Sequence, residues 1–320
     1  MPSLLDKRLV LVTGKGGVGK TTVAAALGLV AARHGKRVVL CEVAEQKRLA
    51  ALFSTSTTHA ETELTPGLFA VSVDPERAKQ EWLQYQLKSR TLAGVLGASR
   101  LFQYLTAAAP GLSELVTIGK VWDLAQLEPR TGGSVFDIAI VDAPSTGHGL
   151  AMLTAPSTFA SVARVGPVGR QAEQIDQSLR DPAHTGVVTV ALPEEMPVNE
   201  TVEFERSLRE ALGIGVDTIV VNALHPARFS AEEARDLERA APAGGGATRA
   251  RGGAAQPSAV ARAALAAGLS EHRRARAEHA QLRRLRRAAA APVATLPRVF
   301  EPELSRDDLE RLSAELERRL

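Results

Sequence analysis

Apolar residues alternate along this chain between short unbroken runs of strand length and longer stretches with helical spacing. The runs at 9–12, 37–43, 68–73, 136–141, 187–192 and 218–221 are almost continuously hydrophobic and rich in β-branched residues. That is the pattern of strands buried on both faces of a parallel sheet. A last short strand is expected at 292–297. Helices are predicted at 23–33, 198–212 and 260–291, and from Ser305 to the end, with Leu309, Leu312, Leu316 and Leu320 on one stripe. Residues 157–180 read as helical but broken by Gly166-Pro167, and 54–65 as a Thr/Ser-rich connection without strong periodicity. From Glu76 onward Trp82, Tyr85, Leu92, Leu101, Tyr104 and Leu105 recur at three-to-four spacing; Pro110-Gly111 interrupts, and 112–127 resumes. Roughly 50 residues exceeds any ordinary crossover, so 76–131 is expected to be a helical insertion. Residues 240–257 are Gly/Ala/Pro-rich and read as a flexible loop. The expectation is one α/β domain over 1–320, a mostly parallel, doubly wound sheet carrying that insertion.

The most informative residues lie between the first strand and the first helix: Gly14, Lys15, Gly16, Gly17, Val18, Gly19, Lys20, Thr21 and Thr22. Glycines let the backbone curl so that successive N–H groups face phosphate oxygens, and the opening helix adds unpaired N–H groups and a positive dipole end. Lys20 is placed to reach the β- and γ-phosphates and the Thr21 hydroxyl to ligate Mg²⁺. The fold class is therefore a P-loop NTPase. Lys15 is a second lysine inside the loop, which a plain phosphate loop does not need. It reads either as a solvated cation or as a charge extended across a subunit interface to a neighbour's nucleotide.

Asp142 ends the fourth of the long strands and is the expected second Mg²⁺ ligand, at the carboxyl edge beside the loop. Residues 142–148 (Asp-Ala-Pro-Ser-Thr-Gly-His) are expected to form a loop able to sense a γ-phosphate; His148 serves equally well as a sensor or a helix-start histidine. Asn222 closes another strand and offers a donor and an acceptor to a base. It is followed by Ala223-Leu224-His225 rather than the Lys-x-Asp of guanine readers, so adenine, and hence ATP, is favoured.

Composition changes this picture little. The chain has 320 residues, 45% of them hydrophobic and 4% aromatic, so the core must rest on Leu, Val, Ile and Ala. No apolar run reaches the roughly 18 residues of a membrane span, so no integral membrane segment is expected, and from the short polar start at 1–8 no signal peptide is expected either. Cys41 is the single cysteine, which excludes an intramolecular disulfide. A cytoplasmic enzyme is expected. The net charge of +3 gives no ground for a specific nucleic-acid partner. Arg273, Arg274, Arg276, Arg283, Arg284, Arg286 and Arg287 are the exception: a solvated helix face with Leu282 and Leu285 inward, or a site for an anionic partner.

With Lys15, the loop at 142–148, the insertion and Asn222 in view, the chain resembles the ArsA family, the arsenite-pump and tail-anchored-protein targeting ATPases. Gly14 to Thr21 match its GKGGVGKT loop, and Asp142, Thr146, Gly147 and His148 match its Asp-x-x-x-Thr-Gly-His motif, which the sister MinD and ParA ATPases lack. The resemblance implies a nucleotide-sandwich dimer with Lys15 on the other subunit's ATP, Thr21 and Asp142 around Mg²⁺, Asn222 on adenine, and the segment from Pro297 closing over the base. The family's water-positioning Asp falls here on Ala44; Glu45 is adjacent and is the candidate catalytic carboxylate, with Glu42 two residues before. The cysteine pair of the targeting ATPases is absent, and one cysteine does not make an arsenite site. Two functions follow. One is an ATPase, slow or partner-dependent, whose dimer closure binds and releases a protein or hydrophobic client. The other is a weakly hydrolysing regulatory subunit paired with an active paralogue, so both a homodimer and a heterodimer are in view.

Overall fold

The computed structural model describes residues 3–43, 48–53, 55, 60–87, 111–129, 134–162, 166–240 and 258–320. Strand β1 (Leu9–Gly14) runs into α1 (Lys20–Arg33) and returns as β2 (Val38–Val43). A short α2 (Arg48–Leu52), β3 (Thr62–Thr65) and β4 (Leu68–Val73) follow, then α3 (Pro75–Leu87) and α4 (Leu112–Leu124). The second half comprises β5 (Ile138–Asp142), α5 (Thr146–Val162), α6 (Pro167–Arg180), β6 (Thr185–Ala191) and α7 (Glu195–Leu212). It closes with β7 (Thr218–Leu224), α8 (Ala231–Ala240), α9 (Ala259–Ala288), β8 (Val293–Pro297) and α10 (Arg306–Glu317).

The strands form one eight-stranded sheet in the order β3-β4-β2-β5-β1-β6-β7-β8, all parallel except β3, which is antiparallel to β4. The expected doubly wound α/β fold is thus present. Every residue of β1, β2, β5 and β6 is buried, and alternate side chains feed opposite cores. Leu9 and Leu11 join the layer with Trp122, Phe136, Met152 and Leu208, whereas Val10 and Val12 join the one with Leu27, Leu40 and Leu309. Burial on both faces is why these strands read as continuous apolar runs rather than as alternation.

Three local expectations are corrected. Residues 54–65 contain edge strand β3, whose half-exposed burial pattern gives no hydrophobic signal. Thr146 opens α5 rather than belonging to a loop, so the 142–148 segment is the last residue of β5, three connecting residues and then helix. Leu320 does not share the closing stripe: Leu309, Leu312 and Leu316 are buried, but Leu320 is 47% exposed beyond the end of α10. Of the expected insertion, α3 and α4 are described, with Gly111 at φ +79° capping α4, and residues 88–110 lie outside the described residues, as do 241–257. Among the described residues no helix is long and apolar enough to cross a membrane.

The last two elements seal the molecule. α10 packs on α1, with Arg33 donating to Ser313 Oγ at 2.7 Å and to Glu317 at 2.9 Å. The buried Glu205 carboxylate of α7 accepts from the N–H groups of Ala290 and Ala291 at 3.0 and 2.8 Å, fixing the turn between α9 and β8. Because Leu309 is fully buried, Leu309→Ala is expected to cost about 3 kcal/mol of stability. Leu320→Ala is expected to change it by less than about 0.5 kcal/mol, the contrast being read by urea unfolding.

Candidate functional site

The site is built at the carboxyl edge of the sheet, where β1 hands over to α1. Gly14 ends β1 at φ +152°. A Cβ there would stand 2.2 Å from the Val190 carbonyl oxygen of β6, so only glycine fits. Gly19, at φ +91°, is the N-cap of α1, and a Cβ on it would lie 2.2 Å from Asn222 Nδ2. Between them Gly16 and Gly17 are exposed, and a Cβ on either would meet no atom within 4 Å. The backbone there faces open space, as a turn that receives phosphate oxygens requires.

The two loop lysines point to different places. Half-buried Lys20 turns back over the loop, its Nζ donating to the Lys15 carbonyl oxygen at 3.2 Å. Burial lowers its pKa, opposed by the nearby Asp142 charge and assisted by Arg48. Lys15 sends its side chain the other way, and its Nζ meets Glu200 Oε1 of α7 at 2.6 Å. Lys15 is thus a partly exposed cation paired within its own chain.

The register of β5 between β1 and β2 sets Asp142 opposite Val12 on one side and Glu42 on the other. Asp142 Oδ2 accepts from the Thr21 hydroxyl at 2.6 Å, so the two expected Mg²⁺ ligands are brought together. Burial pushes the Asp142 carboxyl up to about 6; the Thr21 hydrogen bond and the Lys20 charge oppose the shift, and Glu42 adds to it. Among the described residues no three His, Cys, Asp or Glu side chains gather as a metal cage. A hydroxyl and one carboxylate of hard oxygen type instead suit Mg²⁺, which keeps most of its water and takes phosphate oxygens.

Glu42, with 1% of its surface exposed, holds the N-terminus of α2: Oε1 accepts from the N–H of Arg48 at 2.6 Å and of Leu49 at 3.3 Å. Its Oε2 is buried and has no hydrogen-bond partner among the described residues. Glu45 and Ala44 lie outside the described residues. Thr22 is half-buried on the first turn of α1, while Val18 is buried beneath the loop and its carbonyl accepts from Asn222 Nδ2 at 2.9 Å. Asn222 therefore braces the loop with part of its amide, a role no motif announced. Pro297 is exposed at the end of β8, paired in register with Leu224 of β7. His148 is exposed on the first turn of α5. Cys41 is fully buried in β2, where burial pushes its thiol up to about 12. One residue, Glu200, and one contact, the bracing hydrogen bond of Asn222, escaped the sequence reading. Each depends on which helix or strand ends up beside the loop, which no local spacing encodes.

A glycine turn between a central parallel strand and a helix N-terminus, with a hydroxyl and a carboxylate joined beside it, defines a phosphate-loop nucleotide-binding protein. The model of the anion-transporting ATPase family matches residues 7–168 and 162–240, and the chain belongs to this ArsA ATPase family. It is 32% identical over 240 residues to the protein named ATPase BagA of Mycobacterium tuberculosis, covering 73% of this chain and 69% of that one. It is 26% identical over 275 residues to ATPase GET3C of Arabidopsis thaliana, covering 71% and 69%. A putative arsenical pump-driving ATPase of Halobacterium salinarum is 25% identical over 242 residues, covering 69% of this chain and 36% of the relative.

The raised Asp142 pKa has a signed consequence. The folded chain without nucleotide or Mg²⁺ holds this proton up to about pH 6, the unfolded chain only to about 3.8. Stability from this group is therefore present at low pH and lost as pH rises between those values. Asp142→Asn, neutral at every pH, is expected to melt higher than the parent at pH 8 in a chelator, by up to about 2–3 kcal/mol. At pH 4 the two should converge, as thermal melts at both pH values would show.

Proposed function

We propose that this chain binds ATP with Mg²⁺ at the loop 14–22 and hydrolyses it within a face-to-face dimer, of two copies or of one copy and a paralogue. The single observation that carries this reading is the divergence of the two lysines. Lys20 overhangs its own loop, and Lys15 points out of it toward Glu200 on a partly exposed rim. Lys20 holds the β- and γ-phosphates against the N–H groups of the glycine turn, and Thr21 and Asp142 hold Mg²⁺, which supplies positive charge at the phosphate oxygens. Lys15 of each subunit is delivered to the nucleotide of the other and offsets charge as it develops on the transferred phosphoryl group, in the manner of an arginine finger. Asn222 keeps its remaining amide hydrogen and oxygen for adenine, and the chain from Pro297 closes over the base.

The attacking water needs a carboxylate, and Glu45 is the candidate, since Glu42 spends one oxygen on α2. A protein or hydrophobic client is placed at the helical layer, where Trp82, Leu115, Val116, Val168 and Ile175 line an apolar cleft between α3, α4 and α6. Closure of the dimer would open and shut that cleft. The second reading, a weakly hydrolysing subunit that binds ATP beside an active paralogue, is favoured by one feature: alanine stands at position 44, where the family places its catalytic aspartate.

Turnover by the purified chain, measured beside Lys20→Ala, Lys15→Ala and Glu45→Ala, separates the two readings. For the enzyme, Lys20→Ala and Glu45→Ala should each lower turnover by about 100-fold or more, and Lys15→Ala should lower it with ATP binding retained. A parent chain that binds ATP but never turns it over would select the regulatory subunit. A chain that stays monomeric at saturating ATP, with Lys15→Ala indistinguishable from the parent, would remove the facing-dimer mechanism.

A further inference from the structure

The contact between Lys15 and Glu200 points beyond the delivery of Lys15, and rests on that proposed reading. We propose that Glu200 is a positioning residue that parks Lys15 on its own subunit and restrains its delivery until a facing nucleotide draws the lysine away. Lys15 Nζ meets Glu200 Oε1 at 2.6 Å, with the two side chains 37% and 35% exposed. The pair therefore sits at a rim that another protein surface can reach, rather than in the core.

The carboxylate end of this pair is held still. Around Glu200, α7 buries Val198, Thr201, Phe204 and Leu208 against the sheet. Neighbouring Asn199 accepts a hydrogen bond from Arg284 of α9, Thr201 Oγ1 donates to the Pro197 carbonyl at 2.8 Å, and Glu205 holds the N–H groups of Ala290 and Ala291. Glu200 is thus presented to the loop by a helix tied both to the core and to α9.

The lysine end is the movable one. The Lys15 carbonyl oxygen accepts from Lys20 Nζ at 3.2 Å, while its ammonium reaches the opposite way to Glu200. Two ties therefore hold Lys15, one on its backbone and one on its side chain. Phosphate in the loop competes for Lys20, because a charged oxygen outmatches a neutral carbonyl as acceptor. Binding of ATP in the same subunit thereby removes the first tie and leaves Glu200 as the second. A half-exposed ion pair is weak enough to yield to a facing nucleotide, so it acts as a threshold on closure and not as a lock.

Glu200→Gln keeps shape and helix propensity and removes the charge. In the nucleotide-free chain, acylation of Lys15 by an amine-reactive reagent, followed by peptide mass spectrometry, should accelerate about two- to five-fold in this variant. Lys36, 28% exposed and paired with Asp6 at 3.7 Å, should be unchanged and serves as the internal control. At sub-saturating ATP, self-association and turnover should rise by about the same factor. Glu200→Asp, which keeps the charge, should behave nearer the parent. The double variant Lys15→Ala with Glu200→Gln should match Lys15→Ala alone, which a merely structural role for Glu200 would not produce.

Unchanged labelling of Lys15 would overturn the parked pair. Faster labelling without any change in assembly or turnover, in a parent that assembles and depends on Lys15, would overturn the restraint. A parent that never assembles with ATP would remove the facing-dimer reading and the restraint with it, whatever the labelling shows.

Discussion

The hydrogen bond from the Thr21 hydroxyl to the Asp142 carboxylate is the contact on which the rest of the site depends. It is 2.6 Å long and joins residues 121 positions apart. It exists because β1 and β5 are parallel neighbours, so that the loop leaving one strand and the carboxylate ending the other emerge at the same edge. A parallel sheet demands crossovers that cover both faces, and α1, α4, α5, α7 and α9 supply them, with α10 added after the last strand. The fold is in this sense the scaffold that keeps one hydroxyl and one acid within bonding distance.

Around that contact the charges are arranged by burial. Asp142 is desolvated enough that its carboxyl holds a proton up to about pH 6, with Lys20 and Thr21 offsetting only part of the cost. Lys20 is desolvated in turn, which lowers its own pKa. A site with such unrelieved burial is better matched to charged ligands than to water, because phosphates and a divalent cation supply the missing counter-charges. Glu42 shows the opposite use of a carboxylate, anchoring a short helix through two N–H groups beside the same edge. Glu200, at the rim, remains accessible and holds a cation that the interior has no use for.

The central strands were legible because burial on both faces writes itself as an unbroken run of Val, Ile and Leu, as in 9–12 and 136–141. The glycine turn was legible because steric exclusion at Gly14 and Gly19 allows no other residue, and it lies within the residues 7–168 that the ArsA family model matches. Edge strand β3 was not legible: Thr62 to Thr65 are half-exposed and carry no period-2 signal. The start of α5 at Thr146 was masked by small residues and a proline that look like a turn. Leu320 continued a stripe whose helix had already ended.

What the sequence determined alone is local: which runs are buried, where the chain must turn through glycine, and which hydroxyl, lysine and carboxylate stand at strand ends. What only the tertiary structure decided is which of these groups meet. The same spacing allowed Lys15 to be solvated or aimed at a neighbour; the approach of α7 paired it with Glu200. Asn222 could have offered its whole amide to a base, yet the register of β7 beside β6 set it against the loop, donating to Val18. Contacts of this kind depend on helix placement and strand register, which are settled by packing over the whole sheet, so no window of sequence carries them.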